Sequence, residues 1–99
     1  DDVKSPYFIC LIFGSYADGT QTKQSDIDVC LISDDNLIKE KVLKITKILP
    51  LKIHLLDFTL KEFISMLKTT DQNVGKEIIK NKVILKGIEN FYELINYAR

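Results

Sequence analysis

Net charge, arginine, histidine and cysteine are what this sequence has least of. Its 14 basic and 14 acidic residues cancel to a formal net charge of zero. A balanced chain lacks the concentrated basic face that counter-ion release requires, so direct nucleic-acid binding is not expected. Arg99 is the lone arginine; the remaining basic residues are lysines, scattered through the helical part of the chain, where they read as solvated helix faces. Cys10 and Cys30 make no disulfide framework and match no zinc-ligand spacing. Each lies inside an apolar run and reads as a reduced core residue. No apolar run is long enough to cross a bilayer and no signal peptide is recognisable, so a cytoplasmic setting without membrane attachment is expected.

With 99 residues, 45% of them hydrophobic and 28% charged, the chain has the composition of one globular domain spanning 1–99. A chain of this size buries roughly 60–70% of its unfolded surface, so one core is feasible without metal or disulfide staples. It begins Asp1-Asp2 without a methionine, from which a trimmed or omitted N-terminal segment is expected. There is no internal repeat, low-complexity tract or linker.

An apolar run with aromatic and β-branched members continues from Tyr7 to Phe13, which predicts a buried strand. Residues 15–25 are turn-like, with room for a short helix from Ser15. Ile27–Ile32 predicts a second buried strand, closed by Ser33-Asp34-Asp35-Asn36. Apolar residues then recur with helical period from Leu37 to Leu49, and Pro50 ends the helix. A third strand is expected over Leu51–Phe58. Thr59-Leu60-Lys61-Glu62 has the form of a capping box ahead of Phe63 and Ile64. A short helix from Thr70-Asp71 to Ile79, an edge strand at Val83–Leu85, a turn at Gly87 and a last helix over Ile88–Tyr97 complete the chain. The order β, β, α, β, α, α, β, α predicts an α+β fold with a mixed sheet covered by helices.

Two short patterns carry chemistry. Gly14-Ser15 ends the first apolar run, and Asp26-Ile27-Asp28-Val29 opens the second about ten residues on. Side chains alternate along a strand, so Asp26 and Asp28 are expected on one face with α-carbons about 7 Å apart. Bare carboxylates at that spacing repel by about 2 kcal/mol at an effective dielectric near 20. Magnesium removes the repulsion and is the hard cation that carboxylates and phosphates share. Glycine lets backbone approach a phosphate, and a helix opening at Ser15 aims its first N–H groups, with the Ser15 hydroxyl, at the same anion. Gly14 and Ser15 are therefore candidate nucleotide-binding residues, and Asp26 and Asp28 candidate metal ligands. In-line attack on an α-phosphate, with pyrophosphate leaving, is the chemistry this pairing suits.

In these residues the chain resembles the minimal nucleotidyltransferases of the polymerase-β superfamily. The resemblance rests on Phe13-Gly14-Ser15-Tyr16-Ala17-Asp18-Gly19-Thr20 followed by Ser25-Asp26-Ile27-Asp28-Val29, about 20 residues in all. It implies a mixed sheet covered by helices, triphosphate held by Gly14 and Ser15, and Mg²⁺ (or Mn²⁺) held by Asp26 and Asp28. It further implies transfer of a nucleoside monophosphate from an NTP, ATP favoured, to a hydroxyl of a partner. Related minimal enzymes pair with a small helical toxin protein, so such a partner, or a homodimer built on Phe91, Tyr92 and Tyr97, is expected.

Two departures stand out. Asp18 occupies a position that is often arginine. The third carboxylate, which resembling proteins carry on the next strand as Asp-Leu-Val, aligns with His54. His54 is a candidate catalytic base or weak metal ligand, the alternative being a strand-end residue with one ring nitrogen satisfied. Asp57 is expected on the opposite face from His54, as a strand-end or helix-capping residue. Lys23, between the two motifs, is a candidate phosphate contact. Two functions remain open: an active nucleotidyltransferase, or a catalytically weak nucleotide-binding module acting as an antitoxin-like subunit.

Overall fold

The computed structural model describes residues 8–98. The expected strand residue Tyr7 and the Asp1-Asp2 start lie outside them. The elements are β1 (Phe8–Phe13), α1 (Ser15–Asp18), β2 (Ile27–Ser33), α2 (Asn36–Ile48), β3 (Ile53–Phe58), α3 (Leu60–Lys68), α4 (Val74–Lys80), β4 (Val83–Lys86) and α5 (Ile88–Ala98). This is the α+β arrangement expected from the sequence.

The four strands form one mixed sheet in the order β3-β2-β1-β4. β1 runs antiparallel to β2 and to β4, while β2 and β3 are parallel. A parallel neighbour needs a crossover, which α2 supplies. Asp35 caps α2, its carboxylate accepting from Leu37 N at 2.8 Å and Ile38 N at 3.3 Å. Leu49, the residue before Pro50, is extended at φ −72° and ψ 138° and ends the helix.

One sheet face carries the core. Ile9, Leu11 and Phe13 of β1 and Cys30 and Ile32 of β2 pack with Phe63 of α3, Ile78 of α4, and Phe91 and Leu94 of α5. Phe63 and Phe91 are fully buried, and truncating either to alanine should cost about 3–5 kcal/mol. The other face buries Val29 and Leu31, with α2 lying over β2 and β3. No residue of α2 is fully buried, and Ile48 is 78% exposed. An open apolar trough of about 300 Å³ runs between α2 and the sheet, walled in part by Ile12, Val42, Ile45 and Leu85.

The capping box forms as expected: Glu62 N donates to Thr59 Oγ1 at 3.1 Å and Thr59 N donates to Glu62 Oε1 at 2.7 Å. Two boundaries differ from the sequence reading by two residues or more. β3 begins at Ile53 rather than Leu51. The next helix begins at Val74 rather than Thr70-Asp71, because Asn73 does two jobs there. Its Oδ1 accepts from Lys76 N at 3.1 Å while its Nδ2 donates to Met66 O at 2.8 Å, tying the helix start to α3. Asp71 N is taken up locally by Thr69 Oγ1.

Candidate active site

Of the residues singled out by the sequence, Gly14, Asp28 and His54 meet at the end of the sheet where β1 runs out and β2 and β3 begin. Asp28 is opposite Phe13 of β1 on one side and His54 of β3 on the other. Residues directly opposite on neighbouring strands share a face, so the Asp28 and His54 side chains are adjacent by construction of the sheet. His54 Nδ1 donates to Asp28 Oδ1 at 3.1 Å. The His54 side chain is 58% exposed and that of Asp28 28% exposed, so the pair sits at the rim of the core, open to solvent.

The second oxygen of Asp28 faces Gly14. Gly14 adopts φ 71°, a left-handed conformation, and a Cβ built on it would overlap Asp28 Oδ2 and lie 3.2 Å from Asp28 Cγ. Glycine is therefore required here by the chain's own carboxylate as well as by any phosphate. From Gly14 the chain turns straight into α1, whose Ala17 and Asp18 N–H groups bond back to Gly14 O at 3.0 and 3.2 Å. Ser15 is half-buried at the first position of this turn.

Asp26 stands just outside β2 and is exposed. The strand is anchored at Ile27, whose N–H donates to Lys52 O at 2.8 Å, so strand alternation does not itself orient Asp26. Lys23 is exposed at the tip of a turn held by Thr22 and Ser25, with Thr22 N donating to Ser25 Oγ at 2.9 Å. It does not line the cleft beside Gly14.

Asp18 is accounted for by its own turn. Its carboxylate accepts from Thr20 Oγ1 at 2.6 Å and from Thr20 N at 3.0 Å, and these bonds hold its pKa below the ordinary value. Asp57 lies opposite Leu31 on the face away from His54, with its carboxylate 3.9 Å from Lys39 Nζ of α2. It does not cap the following helix, contrary to one of the roles expected of it. That start is held by Thr59 and by Asp34, which accepts from Leu60 N at 3.1 Å. Cys30 is fully buried one pleat inward from Asp28, and burial pushes its thiol up to about 12.

Among the described residues, no three acidic, histidine or cysteine side chains converge into a metal cage. The candidate donors are the Asp28 carboxylate, hydrogen-bonded by the His54 imidazole, and the exposed Asp26 just ahead of β2. That set fits a hard cation shared with phosphate oxygens, since magnesium commonly takes one or two carboxylates and completes its shell from substrate and water.

Sequence reasoning passed over the far wall of the site. A cleft of about 110 Å³ lies beside Gly14, walled by Asp18 and by Glu77, Lys80 and Asn81 from the end of α4. Its only trace in the sequence is the Lys80-Asn81-Lys82 run ahead of the edge strand.

The fold is that of a nucleotidyltransferase domain. The family described as Polymerase beta, Nucleotidyltransferase matches residues 5–90, and the chain belongs to it. A solved structure described as the crystal structure of the toxin-antitoxin with AMP-PNP is similar at a TM-score of 0.54 and 24% identity. The likeness covers 87% of this chain and 65% of that one, and it speaks for the fold. No curated protein matches the sequence.

Proposed function

We propose that this domain transfers a nucleoside monophosphate from an NTP, ATP favoured, to a hydroxyl of a partner and releases pyrophosphate. The observation that carries the reading is the position of Asp28, one carboxylate oxygen on His54 and the other against the open side of Gly14. Gly14 and Ser15 receive the phosphates, with Lys23 available from the loop. Asp26 and Asp28 would hold Mg²⁺ (or Mn²⁺), which when bound would supply positive charge to the phosphoryl group being transferred.

His54 has a defined part. Asp28 accepts the Nδ1 proton, which leaves Nε2 as the ring's lone-pair nitrogen. The acceptor hydroxyl gives its proton to Nε2 as its oxygen bonds to the α-phosphorus. The bond from that phosphorus to the bridging oxygen breaks, and pyrophosphate leaves with the electron pair. The acceptor is a small helical partner protein, a pairing suggested by the similar structure of a toxin-antitoxin; a second copy of this chain is the other candidate. A neutral chain without a basic stripe supports a protein acceptor over nucleic acid. A cytoplasmic setting would supply the nucleotide.

The test is incubation with labelled NTPs, Mg²⁺ or Mn²⁺ and the protein encoded beside it, following pyrophosphate release and label transfer. Transfer lost in both Asp26→Asn and Asp28→Asn is the expected result. One observation favours a second reading, a nucleotide-binding antitoxin-like subunit: histidine stands where the third carboxylate belongs. Metal-dependent nucleotide binding with no turnover on any acceptor would establish that reading instead.

A further inference from the structure

We infer that Lys80, assisted by the Asn81 side-chain amide, holds the terminal phosphates of the nucleotide, the part released as pyrophosphate. The inference rests on the reading of the site as a nucleoside-triphosphate site and assigns one end of that substrate.

Position is the first argument. His54, Asp28 and Gly14 follow one another across the sheet end from β3 through β2 to β1. β4 continues the row: Val83 is opposite Ile12, so the α4–β4 junction reaches β1 just where it runs into Gly14. A polyphosphate whose α-phosphate lies at Asp28 and which passes Gly14 has the cleft walled by Lys80 and Asn81 ahead of it. At about 110 Å³ that cleft has room for a phosphate group with its water.

Availability is the second. Three lysines lie along this stretch, and two have their ammonium groups engaged. Lys76 Nζ donates to Thr69 O. Lys82 Nζ donates to Ile79 O at 2.9 Å and lies 5.3 Å from the centre of the Phe91 ring. Lys80 has neither an ion pair nor a hydrogen bond from its side chain among the described residues. A lysine left unengaged in the wall of a small polar cleft is a phosphate point charge in waiting.

The surrounding charges sharpen its role. Asp18 and Glu77 share the cleft wall and repel an uncompensated anion. The Asp18 carboxylate is turned onto Thr20, and two carbonyls near the end of α4 are covered, Glu77 O by Asn81 N at 3.3 Å and Ile79 O by Lys82 Nζ. Among the described residues Lys80 is the one cation in the wall, so its charge decides whether a terminal phosphate is held.

The experiment is calorimetric titration of the full chain in MgCl₂ with AMP-PNP and, separately, with AMP. Lys80→Gln should weaken AMP-PNP binding about ten- to a hundredfold, the range expected for one charge-assisted phosphate contact, and leave AMP within twofold. Lys80→Arg should retain most of the affinity, and Asn81→Ala should lose less than Lys80→Gln. Lys44→Gln, an exposed charge change on α2, should alter neither ligand. Equal AMP-PNP affinity in wild type and a folded Lys80→Gln overturns the assignment of Lys80 while leaving the nucleotide site standing. A wild-type chain that binds no AMP-PNP overturns both.

Discussion

His54 and Asp28, 26 positions apart in the chain, are joined by a 3.1 Å hydrogen bond because parallel pairing of β2 and β3 sets them side by side. The imidazole both orients one carboxylate oxygen and is itself oriented, which fixes which ring nitrogen is left to work.

Removing the ring tests whether that nitrogen accepts the proton. His54→Ala should lower turnover about 100-fold or more, the usual range for a positioned base, while NTP affinity stays within threefold. His54→Gln retains a side-chain amide that can reach Asp28 and should not restore turnover. Unchanged single-turnover rates in both variants would reduce His54 to packing.

Gly14 should tolerate no side chain. Gly14→Ala must abandon φ 71° or drive its methyl into the Asp28 carboxylate. A stability loss of about 1–3 kcal/mol in urea unfolding is expected, accompanied by loss of nucleotide binding. A stable variant with native affinity would mean that the bend and Asp28 move apart freely.

The capping box predicts an acid-sensitive α3. Glu62 accepts from Thr59 N, and this bond, ahead of smaller contributions, holds its pKa below the ordinary 4.5. Its contribution to stability is complete above pH 4.5 and disappears as pH falls through the lowered value. Unfolding midpoints measured from pH 6 to 3 should therefore fall less steeply in Glu62→Ala than in wild type. Thr59→Ala, which removes the other half of the box, should cost about 1 kcal/mol at neutral pH.

The two thiols should behave differently. Cys30 is fully buried and pushed up to about 12 by burial first, then by Cys10 and Asp57. Cys10 is only half-buried, its pKa raised by burial alone. A thiol reagent at pH 8 should label Cys10 slowly in the native protein and reach Cys30 only on unfolding. Equal labelling rates would show that the core around Cys30 opens locally.

Much of the fold was legible because its signals are local. Phe8–Phe13 and Val29–Ile32 announce buried strands by unbroken apolar runs, and Thr59 with Glu62 announces a helix start within four residues. The exception shows the limit. Thr70-Asp71 and Asn73 are all plausible caps, and Asn73 prevails because its amide also reaches Met66 O on another helix.

The sequence by itself determined that a glycine-serine bend and two closely spaced aspartates each border a buried strand, since alternation and turn chemistry act over a few neighbouring residues. Only the tertiary structure decided that Asp28 meets His54 on one side and Gly14 on the other, that Asp57 turns to Lys39, and that Lys80 closes the cleft from 66 positions away in the chain. Those contacts depend on strand order and register, and these emerge only when the helices cover the sheet and one-residue slips become too costly to survive.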